Sequence, residues 1–155
     1  MHNLTIKRDD LTGGEVITLL QEHLADMYAT SPAESVHALD VDALKASNIC
    51  FFSAWQGDVL AGCVAIKALN SQQAELKSMR AARAFRGQGV GQALLQFVIG
   101  HAKTGGYNTL SLETGTQDYF APARNLYRKF GFTECGPFGQ YKLDPNSHFM
   151  TLKLY

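Results

Sequence analysis

One stretch constrains this chain more than any other: Arg86-Gly87-Gln88-Gly89-Val90-Gly91, followed without a break by Gln92-Ala93-Leu94-Leu95-Gln96-Phe97-Val98-Ile99. Three glycines on alternate positions open an apolar helix, and the short apolar segment from Ala74 to Ala82 leads into them. The order is therefore strand, glycine loop, helix. Glycine lets the backbone approach a ligand closely and adopt angles that a Cβ forbids. The first turn of a helix carries unpaired N–H groups and the positive end of the helix dipole. Together they form a cradle for a phosphate or pyrophosphate. The spacing is not the dinucleotide G-x-G-x-x-G, because the third glycine comes too early. It is not a P-loop either, since no Gly-Lys-Ser/Thr follows. A tight turn without a ligand is the plainer reading of the same residues.

At 155 residues the chain suits one domain spanning 1–155, large enough for a core without disulfides or metal. Its 14 acidic and 14 basic side chains balance, so no overall field draws it to nucleic acid or membrane. No basic stripe stands out, which argues against a nucleic-acid partner. No apolar run approaches the ~20 residues of a spanning helix. The opening Met1-His2-Asn3-Leu4-Thr5-Ile6-Lys7-Arg8 lacks the charged head and apolar core of a signal peptide. Cys50, Cys63 and Cys135 are an odd number without C-x-x-C spacing, which suits a reducing, cytoplasmic location.

The elements follow from periodicity. Leu4 to Lys7 alternates as a first strand. Val16, Leu19, Leu20, Leu24 and Met27 recur at helical spacing between Glu15 and Tyr28, with Thr12 and Glu15 set as a capping box. Asp40 caps a short helix through Ala43-Leu44-Lys45. Ile49–Gln56 and Val59–Leu69 form a hairpin about Gly57-Asp58, and Gln73 to Ala82 is the next strand. The helix after the glycine loop runs to Lys103. Asn108 to Thr114 is another strand, and Ala121 to Phe130 a helix with Pro122 in its first turn. Phe132 to Tyr155 gives two strands around a long turn at Leu143-Asp144-Pro145-Asn146-Ser147.

Three local signatures sit within this order. The loop reads R-x-x-G-x-G. Glu75 precedes Arg86 by eleven residues, and Leu126-Tyr127-Arg128-Lys129-Phe130-Gly131-Phe132 reads L-Y-x-x-x-G-F. In these respects the chain resembles the GNAT family of N-acetyltransferases over nearly its whole length. It is also similar to a branch of small bacterial members with stretches like Ser31 to Leu39 and Asp144 to Thr151. The resemblance implies an α/β (α+β) fold of order β-α-α-β-β-β-α-β-α-β-β. Its central sheet would be mixed but mostly antiparallel, flanked by about four helices.

It also implies acetyl-CoA as co-substrate, without metal. The pyrophosphate would rest on Arg86, Gly87, Gln88, Gly89, Val90, Gly91 and Gln92, and the pantetheine arm would pair with the strand near Met79 and Ala81. The Met79 backbone N–H would meet the developing oxyanion, Glu75 would be the base, and Tyr127 the acid facing the sulfur. On residues alone, Glu75 is equally a surface glutamate at a strand start, and Tyr127 a core residue beside Ala123, Leu126 and Phe130. Where many members have a cofactor-contacting asparagine seven residues before the tyrosine, this chain has Phe120, leaving Thr116 or Gln117 to serve.

The acceptor would lie between the loop after the first helix and the final hairpin. Glu34, His37, Glu113 and Tyr141 are its candidate contacts, with Asp40, Asp144, Asn146 and His148 nearby. Such a mixture suits the primary amine of a small polar molecule or amino acid, acetylated directly in a ternary complex. Protein or peptide N-acetylation is one alternative, and a non-catalytic CoA-binding module another. Members of the family often pair, so a homodimer is an open assembly.

Overall fold

The computed structural model describes residues 4–35 and 41–155. The chain runs β1 (Thr5–Arg8), α1 (Gly14–Thr30), β2 (Ile49–Gln56), β3 (Val59–Ala68), β4 (Gln73–Ala81), α2 (Val90–Thr104), β5 (Thr109–Gly115), α3 (Ala121–Lys129), β6 (Thr133–Glu134) and β7 (Ser147–Lys153). The strands form one sheet in the order β1-β2-β3-β4-β5-β7-β6. Among the described residues only β4 and β5 pair in parallel; every other pairing is antiparallel. The parallel pair follows from α2, which carries the chain across the sheet between them.

Both faces of β2 and β3 are covered, so these strands are continuous apolar runs rather than alternating ones. On one face α2 sets Val90, Leu94, Leu95, Val98 and Ala102 against Phe52, Val64, Ile66 and Leu76. On the other, Val16, Leu19 and Leu20 of α1 close over Phe51, Cys63 and Ala65.

Three expectations change. The segment Ala43–Lys45 is a single 3-10 turn, leaving three α-helices among the described residues rather than about four; its expected cap, Asp40, lies outside those residues. The Thr12–Glu15 capping box does not form: Gly13 is the N-cap of α1 without a side-chain bond, because Thr12 instead donates its hydroxyl to Asp10 at 2.6 Å. The strand after Phe132 is only Thr133–Glu134. Residues 135–146, with Gly136, Pro137, Gly139 and Pro145, pass over the sheet as irregular chain.

Candidate active site

The site begins where the sheet splits. β4 pairs with β5 from Gln73↔Thr109 to Leu76↔Leu112 and no further, while β5 continues beside β7 to Gly115↔Ser147. From Lys77 onward the β4 edge facing β5 is therefore open. A bulge increases the divergence. Cys63↔Arg80 and Ala65↔Lys77 leave two residues of β4, Ser78 and Met79, opposite Val64 alone, and Ser78 takes φ +53°. The extra residue reverses the alternation. Arg80 consequently shares the α1 face with Glu75 and Lys77, a place that Met79 would otherwise have. Met79 turns instead to a small cleft of about 100 Å³, which Tyr127, Ala123, Phe120, Glu113 and His23 also line.

Beyond β4 the chain enters the glycine loop. Gly87 and Gly89 have φ of +76° and +84°, a left-handed conformation that a side chain disfavours. Gly89 is the N-cap of α2, and no side chain caps this helix start. The amides of its first turn, Val90, Gly91 and Gln92, thus have no partner within the helix. The loop is anchored to α1 through one carboxylate. Asp26 accepts from Arg80 at 2.8 Å and Arg83 at 3.3 Å, lies 3.8 Å from Arg86, and receives the Tyr119 hydroxyl at 3.2 Å. The Arg80 hydrogen bond holds the Asp26 carboxyl below the usual range. With Glu22 at 4.0 Å from Arg80, two carboxylates face three guanidiniums, so the surroundings of the loop stay positive.

Glu75 is no surface residue: it is 2% exposed. Nor does its carboxylate stand alone. Its Oε2 accepts from Lys77 Nζ at 3.2 Å and from the Tyr141 hydroxyl at 2.5 Å, and Lys77 also donates to the Tyr141 oxygen at 2.8 Å. This closed triangle satisfies charges that burial would otherwise penalise heavily. Burial, and then the Glu75 charge, push the Tyr141 phenol well above its ordinary pKa, so it remains a donor. Both interactions with Glu75 use Oε2.

Tyr127 is buried on α3 against Phe132, with ring centroids 5.7 Å apart. Burial raises its pKa, so the hydroxyl keeps its proton, and it makes no hydrogen bond among the described residues. Tyr127 belongs to the core, as the plainer of its two readings has it, and it also lines the cleft. Glu113 accepts from Ser147 at 2.6 Å and lines the cleft. Phe120 packs its ring on Gly115, where a Cβ would collide with it. Thr116 and Gln117 are committed elsewhere: Thr116 donates to the Pro145 carbonyl at 3.0 Å, and Gln117 to Asn146 at 3.0 Å. His23 on α1 is held at a pKa of about 4 by burial and then by Arg80, so it is neutral near pH 7.

A larger cavity, of about 860 Å³, opens on the far side of the triangle. Its walls include Glu34, Asp144 and the chain from Gly139 to Leu143 on one side, and Lys67 to Asn70 on the other. Glu75, Lys77 and Tyr141 line both this cavity and the cleft. Of the expected acceptor contacts, Glu34, Tyr141 and Glu113 are distributed over these two spaces, and His37 lies outside the described residues. Sequence reading missed Lys67, Lys77 and Asp26. Lys77 was within its reach, because residues two apart on a strand share a face.

Burial raises the pKa of Cys63 to about 12, and that of Cys135 is also raised, chiefly by burial. Neither thiol is poised as a nucleophile. Among the described residues no group of three metal-ligating side chains forms, and no helix is long and apolar enough to cross a membrane.

A split mixed sheet with a glycine loop at a helix start beside the split presents an open strand edge and unpaired helix amides to one ligand. Residues 16–132 match the acetyltransferase (GNAT) family, and the chain belongs to that family. YsnE of Bacillus subtilis (strain 168), an uncharacterized N-acetyltransferase, is 51% identical over 149 residues, covering 96% of this chain and 99% of the relative. An IAA acetyltransferase of Azospirillum brasilense is 39% identical over 155 residues, 97% of each. A structure from Klebsiella pneumoniae, described as an acyl-CoA N-acyltransferase, is similar with a TM-score of 0.79 at 25% identity, covering 98% of both chains. A GNAT family acetyltransferase from Elizabethkingia anophelis with acetyl-CoA bound gives a TM-score of 0.69 at 20% identity, covering 97% of this chain and 98% of that one.

Proposed function

We propose that this chain moves an acetyl group from acetyl-CoA to the primary amine of a small polar molecule or amino acid, by direct attack in a ternary complex. The observation that carries the reading is the shared wall: Glu75, Lys77 and Tyr141 border both the cleft and the larger cavity. Two substrates held on either side of that wall would meet at its edge. The acetyl-CoA bound in the Elizabethkingia relative supports the choice of donor.

Arg86 to Gln92 would hold the pyrophosphate on loop and helix amides, and the open edge of β4 from Lys77 to Ala81 would pair with the pantetheine amides. The Met79 amide would stabilise charge developing on the thioester oxygen, an interaction worth ~2.7–4 kcal/mol where such donors have been removed. Glu75, whose Oε1 lacks the partners that occupy Oε2, would take the proton of the acceptor amine, directly or through water. Tyr127, kept protonated by burial, would donate to the departing thiolate. Lys77 and Tyr141 act through Glu75 and are positioning residues.

Calorimetric titration with acetyl-CoA, with CoA as control, tests the first step. Micromolar binding is expected. No binding up to millimolar would reduce the glycine loop to a turn and remove the enzymatic reading. If acetyl-CoA binds, thiol release with a panel of small amines separates this reading from its alternatives. Release only with peptides would make the chain a peptide N-acetyltransferase, and release with no acceptor a CoA-binding module.

A further inference from the structure

The larger cavity has a charge pattern that the transfer reaction alone does not require. Three lysines, Lys67, Lys77 and Lys142, and three carboxylates, Glu34, Glu75 and Asp144, line it. These charges do not cancel in pairs. Lys77 is bound to Glu75. Asp144 accepts from the Ser35 hydroxyl at 2.7 Å and the Asn146 amide at 2.8 Å. Lys67 and Lys142 make no ion pair or hydrogen bond through their ammonium groups among the described residues, and Glu34 pairs with neither. Lys67 is thus a half-buried cation that no ion pair or hydrogen bond engages among the described residues, and such a cation is a place for an anion from outside.

The register places that site. Lys67 on β3 stands directly opposite Glu75 on β4, so their side chains leave the sheet side by side on the same face. They nevertheless make no ion pair, and Lys77 and Tyr141 engage Glu75 through Oε2 alone. Glu75, with its Oε1 left open, and Lys67 thus hold adjacent positions on one face of the sheet, and both line the cavity. A molecule with an amine and a carboxylate a few bonds apart fits between them.

Resting on the acetyltransferase reading above, we infer that the acceptor is a small amino carboxylate, a free amino acid, whose amine meets Glu75 and whose carboxylate is held by Lys67, with Lys142 adding charge at the rim. The exposed Leu143 and the half-buried Leu69, both on the cavity wall, provide apolar contact for its side chain.

The test compares the twenty standard L-amino acids with their α-amides, which keep the amine and lose the negative charge. Aminophosphonate analogues form a third arm. Thiol release from acetyl-CoA is the readout, after calorimetry has shown that acetyl-CoA binds. At least one amino acid is expected to exceed its amide in kcat/KM by on the order of ten- to a hundredfold, the effect of a charged hydrogen bond. The difference should lie mainly in KM. Lys67→Met should bring the acid-to-amide ratio close to one, and Lys67→Arg should restore part of it.

Equal rates for acids and amides, or an undiminished ratio in Lys67→Met, would overturn the inference. So would binding of acetyl-CoA with turnover of neither acid nor amide, while the co-substrate assignment stood. A phosphonate that outran its carboxylate counterpart would overturn the choice of head group. Failure to bind acetyl-CoA at all would instead overturn the reading on which the inference rests.

Discussion

Glu75 shows how one residue can carry several constraints. A carboxylate 2% exposed persists only if opposite charge and hydrogen bonds replace the water it has lost, and Lys77 with Tyr141 does this. Removing one member is therefore worse than removing the pair. Lys77→Met should destabilise the fold by about 3–5 kcal/mol, because it strands a buried charge, whereas Glu75→Leu with Lys77→Met should recover most of that loss. Urea denaturation of the two variants decides it, and equal losses would mean that the ion pair is not balanced as described. Tyr127 makes a different prediction. Its ring is core and its hydroxyl makes no hydrogen bond among the described residues, so Tyr127→Phe should keep the fold and the acetyl-CoA affinity. Turnover should fall on the order of a hundredfold, the scale of a lost general acid. A fully active variant would remove Tyr127 from the mechanism.

At the scale of elements, the decisive feature is the junction of β4, the loop and α2. A Cβ at Gly89 would meet only open space, so sterics alone do not require glycine there. Its φ of +84° does. Gly89→Ala should cost about 1–2 kcal/mol of stability through that backbone angle. Gly89→Val, bulkier and β-branched, should abolish acetyl-CoA binding while the far-UV circular dichroism stays native. Calorimetry showing wild-type affinity in Gly89→Val would refute the phosphate cradle. The same junction explains why α1 matters to a loop so far away in sequence. Asp26 holds Arg80, Arg83 and Arg86 together, and the β4 bulge is what brings Arg80 to its side of the sheet.

At the scale of the molecule, packing α1 over β4 encloses His23 beside Arg80, and this links folding to pH. The folded state lowers the His23 pKa from 6.5 to about 4, so the unfolded chain takes up this proton first as pH falls. The contribution is complete above pH 6.5 and is lost as pH drops toward 4. Stability should decline over that window by roughly 1–3 kcal/mol from this group. Chemical denaturation of the wild type and His23→Gln across the window isolates it, since the other acids titrate alike in both. Parallel pH profiles would show that His23 does not enter the linkage.

Much of this protein is determined by the sequence alone, and those parts share a physical character. The β2–β3 hairpin, α2 with the glycines at its start, and α3 with Pro122 and Gly131 arise from periodicity and backbone preference within a dozen residues, and their observed bounds match the sequence reading closely. The glycine loop at the start of α2 and the place of Tyr127 on α3 were legible for the same reason, because each lies in a short run with its own geometry. The remainder depended on tertiary structure. Tyr141 reaches Glu75 across 66 residues and Arg80 reaches Asp26 across 54, and no local pattern encodes such partners. The capping box failed because Asp10 competed for Thr12. The strand expected after Phe132 shortened because glycines and prolines break its ladder. Where the sheet opens, which face Arg80 takes after the bulge, and that Lys67 stands beside Glu75 without pairing to it are consequences of register and packing. Only the folded chain decides these, because only there do distant strands compete for the same hydrogen bonds.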